Sequence, residues 1–473
     1  MSSRALKELR ETRPQDEVVG AELGDLRRTQ RAVRTLETMA RAADESLPTL
    51  AASDSELTGM YRFFNNESVT PEALLGTHRE ATARRAASFG QVLAIHDTTE
   101  VAFTGEREGL GRLSDGRRGF LAHATLVVSA DEEALPLGVA SLELLTRADE
   151  KKERKRRSML DPQNEFSRWD RGVRAARELL SGTSPIHVMD REGDSYELFA
   201  SMVGRGERFV VRLVHDRRLA GEVSTLFEAV AHRPVRARRK VEINRRGRQG
   251  PPGRLRKHPP RDARTAHLAM SSTRVELRRP ERMSDCWPES LSLNVVRVFE
   301  PEPPQGQEGV EWLLVTTEPV KTGADVLRSV DWYRRRWTIE EFFKALKTGC
   351  SVEKRDFVTA HALMNAFALS IPIAWHLLLM RALARYDSKA DAARVFTRTQ
   401  LEVLHLATRK LPPAQRPPRS PTVRQALLAI AALGGHLKRN GEPGWLTLAR
   451  GYDYLQQVVF GFQLASLKSA RNR

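Results

Sequence analysis

The stretch Gln91-Val92-Leu93-Ala94-Ile95-His96-Asp97 is a short apolar run that ends in an acid. Its length and apolar character predict a strand. Ile186-His187-Val188-Met189-Asp190 repeats the pattern downstream. Residues 120–129 and 134–145 read as further strands, joined by the polar turn Ala130-Asp131-Glu132-Glu133. Consecutive antiparallel strands are the simplest arrangement of this first group. A helix over 166–182, ending at Gly182, a helix from Tyr196 and a strand over 209–212 complete the order βββαβαβ. This is an α/β pattern.

Outward from this core the character changes. Residues 1–90 read as helical and basic, with Asp25 as an N-cap and Arg27, Arg28, Arg31 and Arg34 on successive turns. Residues 150–157 form a charge run, read as a loop. Residues 213–310 hold short alternating runs at 273–277 and 291–298 and a Pro/Gly/Arg-rich stretch at 245–260. They predict a β-rich insertion with a basic, mobile loop. A strand at 312–317 and a helix reaching Lys347 follow, and residues 355–473 read as mostly helical, broken by prolines near 411–421.

Composition narrows the class. The chain has 473 residues, 40% of them hydrophobic, enough for a sizeable core. Its net charge of +17 points to a polyanionic partner, with nucleic acid the first candidate and an anionic membrane surface the second. Cys286 and Cys350 cannot form a disulfide framework or a thiolate zinc site. The first residues carry no signal-peptide run. The longest apolar stretch, 362–380, is interrupted by Asn365, Ser370, Pro372 and His376, which favours a buried core helix over a membrane span.

The acids Asp97 and Asp190 each close a predicted strand; on neighbouring strands both would lie at one sheet edge. A third, Glu340, lies on a helix predicted over 331–347. That helix has an apolar stripe of Ile339, Phe342, Phe343 and Leu346, and a second stripe of Tyr333, Arg336, Glu340, Lys344 and Lys347. Carboxylates without Cys or His partners suit Mg2+ or Mn2+, and two such ions can drive phosphodiester chemistry. The flanking cations would grip phosphates. Read blandly, the same stripe is a solvated face with ordinary ion pairs.

Tyr333, Arg336, Glu340 and Lys347 have the spacing of the Y-R-E-K signature of DDE transposases of the insertion-sequence-four family. The surrounding YRRRWTIEEFFKALKTG, HDTTEVAF at Asp97 and MDREGDSYEL at Asp190 resemble that family. So do ELGDLRRT, MYRFFNNESVTPEAL, WLLVTTEP and GWLTLARGYDYLQQVVFGF. The matches run in order along nearly the whole chain; 148–165, 213–310 and 385–440 resemble the family only loosely.

The resemblance implies an RNase H-like catalytic core at 76–355, interrupted by the insertion at 213–310. A helical DNA-binding domain at 1–75 and a helical dimerisation domain at 356–473 would flank it. It implies Asp97, Asp190 and Glu340 as metal-binding catalytic acids holding two Mg2+ or Mn2+ ions. Tyr333, Arg336 and Lys347 would hold phosphates, and Trp312 would stack on a flipped base. Arg27, Arg28, Arg62, Arg212, Trp337 and Lys344 complete the expected DNA contacts. The partners are then transposon-end and target double-stranded DNA and a second copy of the chain, with no membrane, in the nucleoid-bearing cytoplasm of a bacterium. His96 replaces an acid of the family pattern; strand alternation turns it away from Asp97, so it reads as structural. The residues between Arg154 and Trp169 depart from the family, so recognition of the end sequence would differ. A non-catalytic DNA-binding repressor fits the charge equally but needs no acid trio, and a simple metal nuclease needs no dimerising tail.

Overall fold

The computed structural model describes residues 9, 13–147, 158–161, 164–221, 224–243, 245, 261–386, 388–437 and 441–471. The charge run 150–157 and the basic stretch 246–260 lie outside them. The chain is mixed α/β and divides into two units. Residues 1–156, 171–185 and 337–473 form the first, and 157–170 with 186–336 the second.

In the first unit, helices α1 (Leu26–Arg41), α2 (Leu47–Leu50), α3 (Asp54–Phe64) and α4 (Pro71–Ala87) lead into strand β1 (Val92–Phe103). The Asp25 side chain caps α1, accepting from the Arg27 N–H at 2.8 Å. Strands β2 (Gly111–Arg112), β3 (Arg118–Ser129) and β4 (Pro136–Leu145) follow. β3 pairs antiparallel with β1 and with β4, so the expected arrangement is present. One expectation is corrected. Asp97 does not close its strand: β1 runs on to Phe103, paired with β3 throughout, and Asp97 lies mid-strand opposite Ala124. The apolar run ended at the acid because burial drops there, while the backbone pairing continues.

Helix α5 (Arg168–Leu179) crosses the unit boundary, and the second unit continues with β5 (Ile186–Met189), α6 (Tyr196–Gly204), β6 (Arg208–Arg212) and α7 (Leu226–Ala231). Next come β7 (Val235–Ile243), β8 (Arg264–Arg278), β9 (Ser290–Phe299), β10 (Glu311–Thr316) and α8 (Gly323–Arg335). Its strands order as β5-β6-β10-β9-β8-β7. β5 and β6 are parallel and the remaining pairs antiparallel. The β-rich insertion therefore extends the strand ladder of this unit rather than standing apart from it.

The chain returns to the first unit with α9 (Trp337–Lys344), α10 (Ala360–Tyr386), α11 (Arg398–Ala407), α12 (Val423–Leu433) and α13 (Trp445–Arg471). α10 is long and apolar enough to cross a membrane, but 89% of its most apolar window is buried within the protein. It packs on α4, β4 and α12. On α13, Trp445, Leu448, Tyr452, Leu455 and Val459 are buried, and Phe460 and Phe462 remain exposed.

A buried ionic network ties these helices together. Glu17 accepts two bonds from the Arg85 guanidinium, at 2.8 and 3.1 Å, and one from His78 Nδ1. His78 Nε2 accepts from the Val139 N–H at 3.0 Å, which makes the ring neutral. Arg85 also donates to the Leu137 carbonyl and stacks 4.2 Å from the centre of the Trp375 ring. Gly138, at φ 141°, lets β4 approach α4 this closely: a Cβ there would lie 1.9 Å from Thr82 Oγ1. Burial opposes ionisation of Glu17, yet His78 and Arg85 outweigh it and hold the carboxyl down, at about 2. Burial lowers His78 as well, against the pull of Glu17.

Both groups bind protons more readily when unfolded, so both contributions shrink as pH falls. His78 acts below about pH 6.5 and Glu17 from about pH 4.3 downward. Thermal melts should therefore show the melting temperature falling on acidification through both windows. Glu17→Gln should cost about 3–5 kcal/mol at neutral pH by leaving Arg85 buried without its counter-ion, and should flatten the dependence below pH 4. A variant as stable as wild type at pH 7 would contradict this role.

Candidate nucleic-acid interface and acid site

The acids are best described unit by unit. In the first, Asp97 sits half-buried on β1, its Oδ1 accepting from the Thr98 N–H at 2.8 Å. His96, fully buried, faces the other way, with its Nδ1 2.9 Å from Thr125 Oγ1 and its ring stacked on His123. His96 is thus part of the core, as strand alternation requires. Glu340 is half-buried on α9, and α9 packs against β1. In the second unit Asp190 directly follows β5 and caps the short turn Arg191–Gly193, its Oδ1 accepting from the Glu192 N–H at 2.8 Å. Among the described residues, no three His, Cys, Asp or Glu gather into a metal cage. Carboxylate oxygens of this kind are donors that suit hard divalent ions.

The Y-R-E-K helix differs from expectation. Instead of one helix over 331–347, α8 ends at Arg335, Arg336 forms a one-residue break, and α9 runs from Trp337 to Lys344. A π-turn, Ala345–Gly349, then closes with the Cys350 N–H on the Ala345 carbonyl at 2.9 Å. The π-turn shifts the register of the residues within it, so Lys347 departs from the stripe of Glu340 and Lys344. Residue spacing alone carries no sign of either break. The apolar stripe does hold, with Ile339, Phe342, Phe343 and Leu346 all buried.

The other expected DNA contacts fall into three groups. Arg27 and Arg62 are exposed on α1 and α3, while Arg28 donates back to the Leu23 carbonyl at 2.8 Å. Trp337 is 52% exposed, and the Lys344 ammonium lies 4.7 Å from its ring centre, so a cation and an aromatic face are presented together. Lys347 donates to the Glu100 carbonyl and lies 3.5 Å from Glu353, and so is engaged within the protein.

The third group lines a cavity of about 460 Å³ in the second unit. Trp312, the second residue of β10, is half-buried there; Tyr333 meets its ring edge-on at 5.8 Å and the Arg212 guanidinium lies 6.0 Å from its centre. Arg191 and Arg297 line the same cavity beside Glu311 and the apolar Phe227 and Val230. Arg297 stacks on Phe299 at 4.2 Å and donates to Glu311 at 2.7 Å. An indole face, three guanidinium groups and apolar walls suit an unstacked nucleotide, base against ring and phosphate against arginine. The sequence reading did not single out Arg191 or Arg297. Arg191 was marked only by its place after Asp190, and Arg297 by the strand pairing that seats it opposite Leu313.

Comparison with known families gives two matches. Residues 12–69 match a transposase DNA-binding model, and residues 171–371 match a transposase DDE domain. Arg27, Arg28 and Arg62 lie within the first range. Asp190, Arg212, Trp312, Glu340 and the rest of the Y-R-E-K set lie within the second, while Asp97 precedes it. Among solved structures, the chain is similar at 10% identity and a TM-score of 0.35 to a piggyBac transposase synaptic complex with hairpin DNA determined by cryo-EM, over 81% of this chain and 75% of that one.

A duplex-binding titration against salt should separate the two lysines. Lys344→Ala is expected to flatten the log–log slope by about 0.9, the value for one released counterion. Lys347→Ala should leave the slope unchanged and lower the melting temperature. The reverse pattern would overturn the assignment. Two transposase domains, one for DNA binding and one of the DDE type, follow each other in this chain and support a DNA transposase of the DDE class.

Proposed function

We propose that the protein is a cut-and-paste DNA transposase of the insertion-sequence-four type. The observation that carries this reading is the order of its parts: a transposase DNA-binding domain at 12–69, then a DDE domain at 171–371 containing Asp190 and Glu340. In this reading Asp97, Asp190 and Glu340 are the metal-binding acids of an RNase H-like core. DDE domains generally use divalent ions. Two Mg2+ or Mn2+ ions bound by these acids would supply an activated oxygen nucleophile and stabilise the leaving oxygen.

The remaining work falls to the chain's own groups. The exposed Arg27 and Arg62 bind the end of the element through its phosphates. Arg336, Lys344 and Trp337 hold DNA beside Glu340, and positioning of the reacting phosphodiester supplies much of the rate. The cavity around Trp312 takes up a base extruded from the stack when the cleaved end folds into a hairpin. Stacking on the indole returns about 1–3 kcal/mol toward that extrusion. The same acids then serve joining of the 3′-ends to target DNA. Two copies act together, paired through the exposed end of α13 where Phe460 and Phe462 lie. The protein would act on the bacterial nucleoid.

Single substitutions Asp97→Ala, Asp190→Ala and Glu340→Ala test the acids. Each is expected to lower Mg2+-dependent cleavage of element-end DNA by more than roughly a hundredfold, because even outer-shell changes at metal sites cost about 10–100-fold. Gel-shift affinity for the same DNA should stay within about threefold, since phosphate contacts elsewhere dominate it. Wild-type cleavage by any one variant would remove that residue from the site.

A further inference from the structure

The turn that follows Asp190 and the cavity around Trp312 share a buried carboxylate that the reaction scheme leaves without a role. Asp194 lies four residues beyond Asp190, at the end of the turn Arg191–Gly193, and its side chain is fully enclosed. Its Oδ2 accepts from the Val214 N–H at 2.6 Å and from the His215 N–H at 2.8 Å. Its Oδ1 pairs with Arg217 Nη2 at 2.5 Å, and the same nitrogen reaches the Asp194 backbone carbonyl at 3.2 Å. Arg217 is itself 9% exposed and lies over the Phe199 ring at 5.5 Å.

These bonds reach both sides of the cavity. Val214 lines it, and Arg191 lines it from the turn itself. The segment held by Asp194 continues to Asp216, whose Oδ1 accepts from the N–H of Phe227, another lining residue, at 3.0 Å. Arg217 accepts from the Leu226 N–H at 2.8 Å and so seats the start of α7. Beside it, Gly193 lets the turn fold back onto β5: a Cβ there would stand 2.9 Å from that of Met189. The turn from Met189 to Asp194 is therefore closed on itself by the packing of Gly193 on Met189 and anchored to the 214–217 segment by Asp194. A buried carboxylate that accepts from two backbone N–H groups and neutralises one guanidinium is costly to replace, because its loss leaves those N–H groups without an acceptor and the guanidinium without its counter-ion.

We propose that Asp194 is a positioning residue: it fastens the turn bearing Asp190 and Arg191 to the wall bearing Val214 and Phe227, and so fixes the shape of the nucleotide cavity around Trp312. The inference rests on the reading of that cavity as a nucleotide site. It assigns Asp194 no contact with DNA or metal.

The test uses the full chain and a short single-stranded oligodeoxynucleotide carrying one 5-iodouracil, which photocrosslinks to an aromatic ring stacked on it. With equal fractions of DNA bound, the crosslink at Trp312 is quantified by peptide mass spectrometry for wild type, Asp194→Ala, Asp194→Asn and Trp312→Ala. Wild type should crosslink at Trp312 and Trp312→Ala should not. Asp194→Ala should lose roughly tenfold in yield, the equivalent of one charge-assisted bond. Asp194→Asn keeps a carbonyl oxygen for the Val214 and His215 N–H groups but gives up the ion pair, and should recover part of that loss, a rescue that general destabilisation would not give. Should Asp194→Ala fail to fold, Arg217→Gln breaks the same ion pair from its other side and should lower the yield to about the level of Asp194→Asn. A wild-type protein without a Trp312 crosslink would sink the cavity reading. A wild-type crosslink kept at full yield in folded Asp194→Ala or Arg217→Gln would sink the role of Asp194 alone.

Discussion

The unbroken register of β1 against β3, from Val92 to Phe103, is the constraint on which the first unit depends. Strand alternation divides its side chains between two faces. His96 is sealed into the core with Thr125 and His123, and Asp97 stays half-exposed on the other side. A shift of one residue would bury the carboxylate and expose the imidazole. The helices behind the sheet are held by the Glu17–His78–Arg85 network and by Trp375, whose Nε1 donates to the Pro136 carbonyl at 3.0 Å. The half-exposed face of β1 is thus backed by a close-packed core.

In the second unit the corresponding device is the continuous ladder from β5 to β7. The insertion contributes β7, β8 and β9, and β10 pairs with β9 along the whole length of β10. That pairing seats Arg297 beside Trp312, while the pairing of β10 with β6 brings in Arg212. A segment that reads as an interruption of the core therefore supplies one wall of the cavity. Arg239 on β7 also pairs with Asp331 on α8, at 2.9 Å for one of its bonds, tying the outermost strand back to the helix that carries Tyr333.

Much of this was legible from residue patterns. Apolar runs located β1, β3, β4 and β5, the Asp25 cap located α1, and the interrupting polar residues marked α10 as a core helix. Other features left no local trace. The end of β1 was misplaced because burial, not pairing, changes at Asp97. The break at Arg336 and the π-turn after Lys344 arise inside a sequence whose periodicity is that of an ordinary helix. Lys347 reads as a phosphate contact by resemblance, and its partners Glu100 and Glu353 are distant or unremarkable in sequence. Among the described side chains of α13, most apolar ones are buried on their own unit, and Phe460 and Phe462 are exposed. The acids are proposed from residue type and resemblance; spacing alone would not single them out.

The central claim is that Asp97, Asp190 and Glu340 bind the same divalent ions. It is tested most directly by replacing Mg2+ with Fe2+ on the DNA-bound protein and letting ascorbate and peroxide generate hydroxyl radicals at the bound iron. The polypeptide is then cut only near the iron, and the cuts are mapped by mass spectrometry. The account expects cuts next to Asp97, next to Asp190 and next to Glu340, all suppressed together by excess Mg2+ and all lost in Asp190→Ala. Cutting confined to one of these segments, or cutting at all of them that survives Asp190→Ala unchanged, would contradict it.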